Sequence, residues 1–280
     1  MASQTVEALA ALIAETSSSL PDDVLAALRK ARRREEKGFA AEKTLATILE
    51  NCSLARRKAV PLCQDTGTLA FFIDERLKRR TTPAVVREAV SLATSRGMLR
   101  KNCIDSVSGL SHDDNCGEGA PQIHYIPAAG GRAGVTLLMK GGGSENMSRQ
   151  YSLPDARLSA GRDLEGVRKC VLDAVVSAQG CGCAPGILGV CIGGDRASAY
   201  ACAKRQLLRP VGERQTDKTL AKLERRLLAD ANSLGIGPMG LGGATTLLDV
   251  KIAALSRVPA SFFVTVAYMC WACRRRTLWL

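Results

Sequence analysis

Four short apolar runs, Val135–Met139, Ile187–Ile192, Leu247–Ile252 and Phe262–Tyr268, limit what this chain can fold into. Each is too short for an ordinary helix and is bounded by turn residues, the pattern of a strand. Three helical stretches, Leu164–Ser177, Arg196–Leu208 and Lys218–Leu234, are interleaved with them. Strands mixed with helices require layers of sheet and helix around a shared core. The first hundred residues have a different texture. Residues 21–36 open with Pro-Asp-Asp, which suits a first helical turn and its dipole, and place Val24, Leu25 and Leu28 on one face. Residues 39–51 and 84–96 read the same way, and the Pro61–Gly67 loop and the apolar run Leu69–Ile73 interrupt them. The expected fold is therefore α+β, a mixed α/β chain with a helix-rich N-terminal part followed by a mixed sheet with packed helices. A single domain over residues 1–280 is expected, with the change of texture near residue 105 separating a helical subdomain, 1–105, from a sheet-containing one, 106–280.

A chain of 280 residues can build such a core without disulfides. Its aromatic share of 4% leaves that core to Leu, Val, Ile and Ala. The net charge of +12 attracts anions, whether nucleic acid, acidic membrane or small acids. The basic runs Arg32-Arg33-Arg34, Lys78-Arg79-Arg80 and Arg274-Arg275-Arg276 are scattered and lack interleaved aromatics, so a single-strand binding groove is not expected. No stretch is long and apolar enough to span a bilayer, and the first residues carry Glu7 and Glu15 rather than the basic start of an export signal. The eleven cysteines, an odd number, then read as reduced thiols in a cytoplasmic protein, some of them metal ligands.

Three cysteine-bearing segments differ from the rest. Pro61-Leu62-Cys63-Gln64-Asp65-Thr66-Gly67 puts a thiol beside an amide, a carboxylate and a hydroxyl. Gly180-Cys181-Gly182-Cys183-Ala184-Pro185-Gly186 forces an irregular turn that can aim a thiolate. Cys270-Trp271-Ala272-Cys273-Arg274-Arg275 follows an apolar strand and brings arginines, which favour thiolate. Cys52, Cys103, Cys170, Cys191 and Cys202 sit in apolar or helical contexts and read as small buried hydrophobes. Pairing Cys181 and Cys183 with Cys270 and Cys273 as a zinc site is poorly supported, because the two pairs lie too far apart for a compact knuckle.

Two glycine stretches complete the picture. Lys140-Gly141-Gly142-Gly143-Ser144-Glu145-Asn146 follows an expected strand and frees backbone N–H groups to cradle an anion. It lacks the Gly-Lys-Ser/Thr end of a phosphate-binding loop. Gly235-Ile236-Gly237-Pro238-Met239-Gly240-Leu241-Gly242-Gly243 is only loosely like a dinucleotide fingerprint, and no strand precedes it.

In this order, the segments at 61–67, 140–146, 183–194, 234–243, 259–261 and 270–275 resemble the α region of the class I, iron–sulfur fumarase and L(+)-tartrate dehydratase family. The resemblance covers nearly the whole chain. It implies a [4Fe–4S] cluster held by one cysteine per segment, by position Cys63, Cys183 and Cys270. Cys183 is preferred to Cys181 because Ala184-Pro185 keeps one of the prolines that follow the family's ligand. Three thiolates leave one iron open, where electron-transfer clusters normally have four cysteines. An open metal position can act as a Lewis acid.

The chemistry implied is the reversible hydration of a C4 dicarboxylate, fumarate to malate, by a hydro-lyase. Asp65 and Gln64 match active-site positions. Arg100 matches a substrate-carboxylate arginine, although alone it reads as a solvated helix-end residue. Gly141, Gly142 and Gly143, with Lys140, are expected to bind substrate. Two alternatives stay open: an L-tartrate dehydratase α subunit, and a catalytically impaired cluster-binding homologue.

The sequence departs from the family pattern at four positions. Val258 stands where an active-site histidine is common, Cys191 replaces a glycine, Ala184 the first of two prolines, and Cys116 interrupts an Asn-Thr-Gly. The only histidines are His112 and His124, the latter read as a strand residue. The chain stops at Leu280, soon after the third cysteine motif, where single-chain members continue. The resemblance therefore implies a β-type partner subunit that completes the site, in a dimer of such α–β pairs, with no nucleic acid and no membrane as partner.

Overall fold

The computed structural model describes residues 2–128 and 130–280. In chain order its elements are α1 (Ala2–Ser18), α2 (Asp22–Arg34), α3 (Ala40–Lys58), β1 (Thr68–Asp74), α4 (Pro83–Ser95), β2 (Cys103–Ile104), β3 (Ser111–His112), β4 (Gln122–Ile126), β5 (Gly134–Lys140), α5 (Gly142–Asn146), β6 (Arg149–Ser152), α6 (Leu164–Ala178), β7 (Gly186–Gly193), α7 (Arg196–Gln206), α8 (Lys218–Ser233), β8 (Leu247–Leu255), β9 (Phe263–Met269) and β10 (Arg274–Trp279). The fold is α+β, as expected. No helix among the described residues is long and apolar enough to cross a membrane.

The chain forms two compact units. The first gathers the residues up to Pro21, Glu50–Gly142 and Ala272–Leu280, and the second Asp22–Leu49 and Gly143–Trp271. The boundary expected near residue 105 falls inside the first unit. Local texture changes there, but unit membership follows long-range strand pairing: β10, at the C-terminal end of the chain, pairs with β5.

In the first unit the sheet order is β10-β5-β1-β4, with β1 parallel to β4 and antiparallel to β5. Strand alternation puts Leu69, Phe71 and Ile73 opposite Met139, Leu137 and Val135. These six form one core with Val6, Leu9 and Ile13 of α1 and Val86, Ala89 and Val90 of α4. The helical residues recur at three- and four-residue intervals, so the apolar stripe of each helix meets the apolar face of the sheet. Thr82 caps α4 through the Val85 N–H, and Pro83 occupies its first turn.

In the second unit the order is β6-β9-β7-β8; β7 is parallel to β8 and antiparallel to β9. All eight residues of β7 are buried. Leu188, Val190 and Ile192 share a core with Val167, Val171 and Ala174 of α6 and with Leu223, Leu227 and Ala231 of α8. The alternate residues face α7, and there Gly189 lets the helix approach: a Cβ on it would run into the Ala203 carbonyl and press on Leu207. The Gly189→Ala variant is expected to lose roughly 1–3 kcal/mol of stability by overpacking, read as a lower denaturation midpoint. A midpoint equal to the native one would show that α7 can back away freely.

Strand β8 lies at the edge of this sheet, and carboxylates cover its open amides. Glu224 of α8, fully buried, accepts from the N–H of Ile252 at 2.9 Å and of Gln215 at 3.0 Å, and pairs with Arg209 at 2.9 Å. Asp249 pairs with Lys251 at 2.9 Å and with Arg214 at 2.5 Å, and accepts from the Gly212 N–H at 2.7 Å. Edge protection of this kind keeps a strand from pairing with another chain.

Candidate active site

The segment Cys63–Gly67 leads into β1, and its conformation follows from what packs on it. Gly67 has φ +74°, and a Cβ there would strike the Lys140 carbonyl, so this position requires glycine. Thr66 ties the loop to the stretch after α4: its hydroxyl accepts from the Arg100 N–H at 2.9 Å and donates to the Arg100 carbonyl at 2.9 Å.

Between these anchors Asp65 is held at every polar atom. One carboxylate oxygen accepts from the Gly142 N–H at 2.7 Å and the other from the Asn102 amide at 3.1 Å. Its own N–H donates to the Cys63 sulfur at 3.4 Å, and its carbonyl accepts from Arg274 at 2.8 Å. A Cβ on Gly141 would come within 2.8 Å of the same carboxylate, so the glycines here make room for Asp65. A cavity of about 230 Å³ opens beside it, lined by Asp65, Asn102, Cys103, Asn115 and Gly142 among others.

Arg274 is 1% exposed, and its Nε and Nη1 are buried with no hydrogen-bond partner among the described residues. Lys140, also buried, ends β5, opposite Thr68. Arg100 and Gln64 are exposed. The backbone around Arg100 is fixed by the buried Asn115, whose amide donates to the Arg100 carbonyl at 3.0 Å and accepts from the N–H of Asn102 at 2.9 Å and of Cys103 at 3.2 Å. Neither Asn115 nor Asn102 is among the site residues expected from the sequence. An asparagine with φ +60° inside an Asn-x-Gly turn was the available signal for the first. Nothing local marks the second.

Cys103, read as a buried hydrophobe, is instead half-buried on the cavity wall. Burial, then the Asp114 carboxylate, push its thiol up, and push that of Cys116 up to about 11. Both shifts favour the neutral thiol. Cys52, Cys170, Cys191 and Cys202 are buried, as read.

The other two cysteine segments belong to the second unit. After α6 the chain turns sharply: Gln179 and Cys183 both adopt positive φ, and Cys183 is half-buried while Cys181 is exposed. The Cys183 carbonyl accepts from the Trp271 N–H at 3.1 Å, which joins the Cys183 segment to that of Cys270. Tyr268 lies between them. Its ring occupies the space that Cβ atoms on Gly182 and Gly186 would need, and burial, then the Cys270 and Cys183 thiols, push its phenol well above the ordinary range. The 235–243 glycine stretch serves packing here: Gly240 and Met239 press on Gly180, and the Glu35 carboxylate accepts from the Ala244 N–H at 2.8 Å. It forms a tight turn, with no strand leading into it.

The family model described as fumarate hydratase (Fumerase) matches residues 6–278. The chain belongs to the fumarate hydratase family. It is 46% identical over 274 residues to a putative class I fumarate hydratase of Geobacillus stearothermophilus, covering 96% of this chain and 53% of that protein. It thus spans about half the length of that relative. It is 36% identical over 271 residues to a putative L(+)-tartrate dehydratase subunit alpha of Methanocaldococcus jannaschii, covering 94% and 93% of the two chains. To the L(+)-tartrate dehydratase subunit alpha of Escherichia coli K12 it is 30% identical over 276 residues, covering 97% and 89%. In this fumarate hydratase family member, Val258 is 65% exposed on a turn that Arg257 pins by donating to the carbonyls of Val258, Pro259 and Ser261 at 3.0–3.2 Å. The turn that would carry the histidine is thus built without it.

Proposed function

We propose that this chain is the cluster-binding, α-type part of a [4Fe–4S]-dependent hydro-lyase acting on a C4 dicarboxylate, with fumarate and malate as the substrate pair. The observation that carries the reading is the suspension of the Asp65 carboxylate, each oxygen accepting one N–H, beside a cysteine that itself accepts a hydrogen bond. The donor set suits an iron–sulfur group. Cys63, Cys183 and Cys270 lie on irregular, glycine-bearing or strand-end segments and are half-buried, and hydrogen bonds to sulfur are a standard means of tuning such clusters. These three cysteines would hold it. When bound through three thiolates, the cluster supplies an open iron that polarises the substrate hydroxyl as a Lewis acid.

The chain's own residues do the rest. A carboxylate oxygen has two lone-pair directions, so Asp65 keeps one on each oxygen to take or return the proton at the carbon adjacent to the hydroxyl-bearing carbon. The Gly142 N–H is engaged by Asp65, and the glycine stretch 141–143 keeps the main chain open beside that carboxylate, where a substrate carboxylate would lie. Exposed Arg100 supplies the matching cation, with Gln64 as a neighbouring donor and Lys140 adding buried positive charge. Close similarity to the α subunits over about nine-tenths of their length supports a β-type partner and a dimer of α–β pairs. It also favours L-tartrate as the second reading of the substrate. A reducing compartment, the cytoplasm, suits the exposed Cys181 and the half-buried thiols.

The test is anaerobic loading with iron and sulfide, followed by counting both and by ultraviolet monitoring of fumarate with the partner present. Cys63→Ser, Cys183→Ser and Cys270→Ser are each expected to lose the cluster and the turnover, and Cys181→Ser to keep both. A cluster that survives Cys183→Ser and disappears in Cys181→Ser overturns the ligand assignment. A native chain that takes up no cluster overturns the function.

A further inference from the structure

Arg274 presents an unfinished electrostatic arrangement. Guanidinium groups keep their charge in proteins, and a buried charge without partners costs folding free energy unless an anion meets it. Arg274 is 1% exposed, and among the described residues its side chain makes one hydrogen bond, from Nη2 to the Asp65 carbonyl. The N–H on Nε and the pair on Nη1 have no acceptor among the described residues. Strand β10 cannot withdraw the group to water, since Arg274 itself is in register with Met139 of β5.

We infer that Arg274 is the charge partner of the anionic iron–sulfur group at Cys63. The inference rests on the function proposed above and deepens it. Two observations favour the metal-bound group over a free dicarboxylate. The bond from Arg274 ends on Asp65, the residue whose N–H donates to the Cys63 sulfur, so one residue links the cation to the thiolate. The cavity beside Asp65 is lined by Gly67, Asn102, Asn115, Gly142 and their neighbours and not by Arg274, so a small acid held in that cavity would not meet the guanidinium. A fully buried cation next to a thiolate-ligated cluster compensates the negative charge of sulfide and thiolate, raises affinity for iron and raises the reduction potential.

The experiment compares the native full chain with Arg274→Met, which keeps the length and apolar bulk, and Arg274→Lys, which keeps the charge. Metal-free Arg274→Met is expected to melt at or above the native temperature, because an uncompensated buried charge has been removed. After anaerobic loading with ferrous iron and sulfide, the same variant should give up iron to a chelator about 10- to 100-fold faster, as outer-shell substitutions do. Its midpoint potential should be lower. The lysine variant should stay close to native in both. Native iron retention at an unchanged potential in Arg274→Met overturns the inference. So does a metal-free methionine variant that melts far below native, which would make the bond to Asp65 structural. A native chain that loads no iron and sulfide refutes the cluster itself, an outcome separate from these two.

Discussion

Replacing Asp65 with asparagine is expected to lower turnover by roughly 10²- to 10⁴-fold, the range contributed by a positioned proton-transfer group. The substitution keeps shape and volume, so the loop should survive it. The Gly142 N–H cannot turn away, and it selects the oxygen of the new amide; the Asn102 side chain can rotate to offer its own oxygen to the amide nitrogen. What is lost is the ability to hold the proton. The measurement is the rate of fumarate formation or loss by the loaded enzyme with its partner, at matched iron content. Iron content and KM should change little. A fall of less than tenfold at full iron occupancy would remove Asp65 from the proton-transfer role.

Glu224→Ala is expected to cost about 3–5 kcal/mol of stability, the range for removing one side of a buried ion pair. Glu224 is fully buried and serves the Ile252 N–H, the Gln215 N–H and Arg209 together. Alanine leaves two main-chain donors without acceptors at the edge of β8 and loosens Arg209. Glu224→Gln should cost less than alanine, because its amide oxygen can still accept from Ile252 and Arg209, while its NH2 leaves the Gln215 N–H without an acceptor. Unfolding midpoints of the metal-free chain in denaturant would rank the three proteins. An alanine variant within about 1 kcal/mol of native, the worth of a single hydrogen bond, would show that water reaches this edge and replaces the carboxylate.

The two predictions separate what could be read locally from what could not. The helices over 164–178, 196–206 and 218–233 and the strands at 134–140, 186–193, 247–255 and 263–269 follow from period and boundary residues alone. Asp163, Asp195 and Asp217 each cap a helix just where the apolar pattern starts. Strands β6 and β10 carry no such signal. The sequence Arg274–Trp279 is a strand because β5 offers it a free edge.

The sequence by itself determined the class of fold, the cysteine-bearing segments and, through their order, the family. Those properties live in residues a few positions apart, where steric preference and hydrophobic period act. Only the tertiary structure decided the environment of each polar group. It brings Gly142 and Asn102 onto Asp65, 77 and 37 residues away along the chain. It moves Cys103 from an expected core position to a cavity wall, buries the Glu224 carboxylate, and leaves Arg274 inside with two nitrogens that have no hydrogen-bond partner among the described residues. The free energy of a polar group depends on its nearest partners in space and on the water excluded around it, and neither is encoded within a short window of sequence.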